Sequence, residues 1–272
     1  MSDWSEVRDI EGRPGSEVAA LLLRLERTPD AGLWKELDNR LIVEMECWCS
    51  AGFAALPRLG ALARIGTGGT RDRALVLAST IVATLHRNHA YDYLVRTVPS
   101  ALAALHRAAR SRLPGTTGPE FHRYFRAALA FAGYTFWATI SLDFSDEHYQ
   151  VGCPHCAVRL MIVIGDYGRY CAIRDEWEGD VRRVPLRPAD VADFDGIRRW
   201  MYDSAVAGGD PVLAEGLTYL FGDATCGDCG SVFTVADWYE AENGPAQPID
   251  PVVPRVDRSG WRQPDSSVGH RR

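Results

Sequence analysis

The chain of 272 residues is 46% hydrophobic and 24% charged, enough apolar surface for one large core or two small ones. Its formal net charge of −6 gives no global attraction to nucleic acid or to an anionic membrane surface, although a local basic face stays possible. No run of about eighteen apolar residues occurs, and the opening MSDWSEVRDIEGRPGSE has neither the basic nor the apolar region of a secretory signal. A cytoplasmic protein with reduced thiols is expected, in which a CxxC pair points to a metal ligand or a redox catalyst rather than a disulfide. Lys35 is the only lysine, a bias that reflects a GC-rich genome and carries no functional reading.

Residues 1–14 read as a flexible lead, and residues 15–142 as about six helices with no strand. The first three are SEVAALLLRLE, GLWKELDNRLIVEMECW and SAGFAALPRLGALARIG. In TRDRALVLASTIVATLHRNH, residues Leu77, Ala78, Ile81, Val82 and Leu85 recur at the spacing of one helix face. YDYLVRTVPSALAALHRAARSRL follows. In TGPEFHRYFRAALAFAGYTFWATISL, Pro119 suits a first helical position and Phe121, Phe125, Leu129, Ala132 and Phe136 make an apolar stripe.

The segments ALPRLGALAR (55–64) and TVPSALAALHR (97–107) share a proline before an Ala/Leu-rich helix ending in Arg. The step from Pro57 to Pro99 falls within the period of about 40–47 residues that HEAT and armadillo repeats have. Over roughly residues 30–142 the chain resembles bacterial HEAT-like helical-repeat proteins. The resemblance implies a stack of helical pairs, with the helices near residues 33, 75 and 119 as first members of successive pairs; an irregular helical bundle is the alternative.

From residue 143 to 243 a smaller α+β module is expected. SLDFSDEHYQVG is polar and turn-rich, VRLMIVIG and RYCAI flank the turn DYG as a β-hairpin, and RDEWEGDVRRVPLRP reads as an exposed loop. DFDGIRRWMYDSAVAGG and DPVLAEGLTYLFG read as a helical hairpin, the second helix capped by Asp210, started by Pro211 and ended by Gly222. SVFTVADW reads as a strand. GPAQPIDPVVPRVDRSGWRQPDSSVGHRR, from residue 244, reads as a disordered tail.

Two knuckle-then-strand units hold the chemistry. GCPHCA (152–157) and TCGDCG (225–230) each carry a CxxC, and the whole of 157–225 separates the two pairs. They resemble the knuckles of zinc-ribbon proteins, and the resemblance implies that Cys153, Cys156, Cys226 and Cys229 share one Zn²⁺. Four thiolates close a tetrahedral site and leave no position for water or substrate, so the zinc is expected to be structural. Ribbons commonly separate their knuckles by about 15–20 residues; the much longer gap requires an insertion that returns to its start, which a helical hairpin does. Gly230 suits the turn after its pair and Ala157 fits the equivalent position less well. A thioredoxin-like CxxC sits at the start of a helix, whereas β-type residues follow each pair, against redox catalysis.

Other residues have plainer readings. Cys47 and Cys49 would lie about 200° apart around a helix, too far to chelate one ion together unless the helix ends there, and read as helix-packing residues. Cys171 reads as a buried thiol in the second hairpin strand, and His155 as dispensable beside four cysteines, although either could approach the metal. His86 and His89, with Asp92 nearby, read as histidines at a helix end. The arginines of DVRRVPLRP and GIRRW alternate with acidic residues and read as a solvated surface.

Two function classes follow. In the first, the helical stack presents an interaction surface and the zinc module is a rigid attachment, making a non-enzymatic adaptor or immunity-like protein whose partner is another protein. In the second, the zinc ribbon contacts DNA or RNA and the helical part regulates it. The acidic balance favours the first. No phosphate-cradling glycine loop, GxSxG elbow or HExxH occurs, which leaves an enzyme of another type as the third reading.

Overall fold

The structure, a computed structural model, describes residues 3–87, 89–175 and 177–244. The tail expected beyond Gly244 lies outside the described residues. The chain divides into two compact units, one ending at Ile140 and the other starting at Ser141. The protein is mainly helical with a small antiparallel sheet module, and among the described residues no helix is long and apolar enough to cross a membrane.

The first unit contains helices α1 (Ser16–Arg27), α2 (Ala31–Leu41), α3 (Ser50–Ile65), α4 (Gly68–Ala83), α5 (Asp92–Arg96), α6 (Pro99–Arg112), α7 (Gly118–Phe131) and α8 (Thr135–Thr139), and its described residues form no strand. The lead before α1, expected to be flexible, makes a hydrogen-bonded turn. Buried Asp9 accepts bonds from the Arg13 amide at 2.8 Å and the Glu11 amide at 3.0 Å, and Arg40 of α2 reaches it at 3.2 Å. Burial opposes ionisation of Asp9, but these bonds outweigh it and hold the carboxyl below its ordinary value.

Helix α2 begins at Asp30, whose side chain accepts from the amides of Gly32 and Leu33. It stops at Leu41, not at Trp48 as the sequence led us to expect. Ile42 is extended, Glu44 and Met45 take φ of 49° and 69°, and Val43 and Glu46 exchange backbone hydrogen bonds of 2.9 and 2.8 Å across this tight turn. The β-branched pair Ile42–Val43 supplies the extended entry. Cys47 and Cys49 are therefore not on a helix, and the angular separation expected of them there does not apply. Helix α3 buries residues around most of its circumference, from Ala51 to Ala63, as a central helix should.

Helices α3 and α4, joined by Gly66 and Thr67, form one antiparallel pair, and α6 and α7 form another; α3 packs on α6 and α4 on α7. The pairing differs in phase from the sequence expectation, because α4 and α7 are second members of their pairs. Pro57 is interior to α3 whereas Pro99 starts α6, so the two prolines are not equivalent positions. The helix starts at Ser50 and Pro99, and those at Gly68 and Gly118, recur at nearly the same step, which is longer than the step from Pro57 to Pro99.

The second unit opens with a four-stranded antiparallel meander, β1 (Asp146–Gly152), β2 (Arg159–Gly165), β3 (Gly168–Asp175) and β4 (Gly179–Pro185). The β2–β3 hairpin matches expectation; β1 and β4, read as a polar turn and a loop, are corrections. Strand β4 is an edge with Arg182 and Arg183 exposed, so it lacks the apolar alternation that marks a half-buried strand. Tyr149, Ile162, Cys171 and Val184 lie opposite one another across the four strands, and the first three are buried.

The expected helical hairpin follows as α9 (Gly196–Ala207) and α10 (Pro211–Leu220), with Asp210 accepting from the Leu213 amide at 2.9 Å. Gly216 lets α10 rest on the Phe144 ring, where a Cβ would come within 2.1 Å of it. Two short strands, β5 (Asp223–Thr225) and β6 (Val232–Thr234), and helix α11 (Val235–Asn243) complete the unit. Residues 235–243, whose start the sequence reading placed in a strand, are helical.

Candidate metal centre

Each CxxC is the turn of a β-hairpin, the first between β1 and β2 and the second between β5 and β6. The two turns repeat one backbone pattern. The Cys153 amide donates to the Val158 carbonyl at 2.8 Å and the Ala157 amide to the Cys153 carbonyl at 2.9 Å; the Cys226 amide donates to Ser231 at 2.9 Å and the Gly230 amide to Cys226 at 3.0 Å. This winding forces the residue after each pair into the left-handed region, with φ of 59° at Ala157 and 75° at Gly230. For Ala157 that conformation costs about 1–2 kcal/mol, which glycine avoids at the expense of about 0.5–1 kcal/mol of chain entropy. Ala157→Gly is expected to stabilise the second unit by about 0.5–1 kcal/mol, read as a raised denaturation midpoint; a lowered midpoint would show that the Ala157 methyl makes a compensating contact.

The sulfurs of Cys153, Cys156, Cys226 and Cys229 all lie within 4.8 Å of one another, Cys153 to Cys229 at 3.7 Å and Cys156 to Cys226 at 3.8 Å. Ligands about 2.3 Å from a tetrahedral ion are spaced by about 3.8 Å. The sequence-assigned cysteines thus come together from both ends of the insertion, close enough to hold one metal ion. Cys153 and Cys226 are buried, while Cys156 and Cys229 are exposed. The His155 amide donates to Cys153 Sγ at 3.5 Å, as amides do to a coordinating thiolate.

Without a cation four such neighbours resist joint ionisation. The Ser231 hydroxyl and amide, opposed by burial, draw the Cys229 thiol down to about 6. Cys156 is pushed up to about 12, the Val158 backbone favouring its thiolate but burial and the other three sulfurs outweighing that. A divalent ion held by the four sulfurs would reverse this balance by compensating the clustered negative charge.

No family model, curated protein or solved structure matches the chain. What the centre can do is therefore set by its own four sulfurs and their supports.

Those supports come from elements flanking the insertion and from within it. The Gly152 amide, one residue before the first knuckle, donates to both Glu242 carboxylate oxygens at 2.9 and 2.8 Å, and the Trp238 indole N–H donates to the Gly152 carbonyl at 2.6 Å. Helix α11, which follows the second knuckle, thereby grips the first. Arg182 of β4 donates to the Gly227 carbonyl, and a Cβ on Gly227 would come within 2.7 Å of its side chain. The bridge between Arg187 and Asp223, with bonds of 3.0 and 2.9 Å, returns the chain to the end of the meander.

Trp238 and Glu242 were not found from the sequence. A signal was present, since Thr234 followed three residues later by Asp237 is a helix-start pattern, and α11 starts there. Cys171 is buried outside the cluster, its thiol pushed up to about 12 by burial and then by Cys226 and Cys153, and His155 is exposed. Cys47 and Cys49 bring their sulfurs within 4.0 Å in the first unit, both buried. His86 closes the turn after α4, its Nδ1 2.9 Å from the Ala83 carbonyl, so it sits buried against the helix end rather than in solvent; the His89 side chain lies outside the described residues. The four-cysteine set is the one metal-capable group among the described residues.

Proposed function

We propose that Cys153, Cys156, Cys226 and Cys229 bind one structural Zn²⁺ that locks a zinc-ribbon-like unit, and that the protein is a non-enzymatic interaction protein, an adaptor or immunity-like partner of another protein. The observation that carries the reading is the set of four sulfurs within 4.8 Å. Four thiolates are the donor set of structural rather than catalytic zinc, because they fill its coordination sphere. The HEAT-like reading of the helical unit draws support from the stacking of α3 with α6 and of α4 with α7. The turn after α2 leaves Met45 79% and Trp48 48% exposed, side chains of the type that anchor protein interfaces. Nucleic-acid binding by the sheet is disfavoured because its edge arginines are engaged internally, Arg182 with Gly227 and Arg183 with Asp180 at 3.1 Å and over the Tyr170 ring.

Metal analysis of the purified protein is expected to return about one zinc per chain, lost in Cys226→Ser and kept in Cys47→Ser. Iron in its place would reassign the metal, and a metal-free protein with intact knuckles would remove the site. A salt-sensitive mobility shift with duplex DNA or single-stranded RNA, abolished by Arg182→Ala, would replace the protein-binding reading.

A further inference from the structure

Helices α3, α4 and α6 line an open groove of about 310 Å³, within the range of small-ligand sites. Arg64, Arg71, Arg107 and Arg112 line it, and no carboxylate does. Arg112 is paired with Asp72, and Arg71 turns its Nε to the Gly66 carbonyl. Arg64 and Arg107 make no ion pair with any described residue. In a chain of net charge −6 this cluster runs against the prevailing sign. Arg64, Arg71 and Arg107 thus line the groove without a carboxylate partner among the described residues, beside apolar lining that includes Leu75 and Ala104.

The positive charge of the groove is carried by its guanidinium groups, the only titratable side chains in its lining. These are planar forks suited to pairs of anionic oxygens, and they keep their charge at any physiological pH.

We propose that this groove binds a small polyanion with clustered anionic oxygens. A polyphosphate or phosphate ester and a compact polycarboxylate share that chemistry. The site uses the helical unit alone, so it stands or falls independently of the metal centre.

The test is calorimetric titration of the full-length, metal-loaded protein with tripolyphosphate, pyrophosphate and citrate at low ionic strength. Saturable binding of at least one probe is expected, weakening as salt is added. The double variant Arg64→Gln/Arg107→Gln is expected to lose about tenfold or more in affinity, since each removed contact is a charge-assisted hydrogen bond. Both side chains are exposed, so the variant should fold. Arg107→Lys, which keeps the charge but not the fork, should fall between, and Arg24→Gln on α1 should bind as the wild type does. Preference for the phosphates or for citrate identifies the source of the anion. No saturable binding of any probe, or equal affinity in the double variant and the wild type, overturns the proposal.

Discussion

Chelation is expected to unfold the two knuckles together with β5, β6 and α11, while the helical unit keeps its structure. The reason is the disparity in what holds each part. Strands β5 and β6 have three residues apiece, and two of the four cysteines at the junction are exposed. Such an element buries too little apolar surface to offset its own ordering. Structural zinc in finger peptides supplies roughly 10–16 kcal/mol, much of it as folding free energy. The helical unit instead has its own apolar interior, with Leu22, Leu37, Phe53 and Phe125 fully buried. Hydrogen exchange with and without chelator measures the difference. Protection should vanish first at Cys153–Val158, Cys226–Ser231 and α11, and Cys226→Ser should reproduce that pattern without chelator. Uniform loss across both units, or unchanged protection at the knuckles, would contradict it.

Acidification from pH 7 to pH 4.5 is expected to weaken the helical unit through His106. Its side chain is buried on α6 and pushed down to about 4, chiefly by burial and then by Arg110 and Arg107. The folded protein thus binds this proton more weakly than the unfolded chain, whose histidine titrates near 6.5. The stabilisation is complete above pH 6.5 and is lost as pH falls through 6.5 toward 4, with an upper value of about 3 kcal/mol. Asp9 and Asp72 have lowered values, so their contributions are present above the ordinary carboxylate range and disappear at still lower pH, which separates the two windows. Urea midpoints for the helical unit, followed in wild type and His106→Gln between pH 7 and 4.5, measure the effect. The variant should show a much shallower decline, and parallel declines would assign the acid sensitivity to other groups.

How much of this was legible in the sequence depended on whether a signal was local. The α9–α10 hairpin was, because Asp210 and Pro211 write a helix start within two residues. The β2–β3 hairpin was, because its strands are apolar enough to show their period. Strand β4 was not, since an exposed edge carrying Arg182 and Arg183 reads as a loop and acquires its conformation from pairing with β3. The end of α2 was misplaced because the left-handed turn at Glu44 and Met45 uses neither glycine nor asparagine. In the candidate metal centre, the doubled CxxC marked the four cysteines that lie together, and the knuckle resemblance implied their shared role. The grip of Trp238 and Glu242 on Gly152 could not be read, because it joins backbone and side-chain groups 86 and 90 positions apart.

That separation also bears on how the protein is made. Cys156 and its neighbour Cys226 are 70 positions apart, so a ribosome adding about 5–20 residues per second needs on the order of 4–14 s to synthesise the second knuckle after the first. Throughout that interval the nascent chain carries a bare dithiol, able to hold an ion from one side only, while the helices ahead of it have already been synthesised. On the zinc reading, capture by all four sulfurs has to wait until Cys229 has been made, and a chain interrupted between the knuckles carries only the first two thiols of the set.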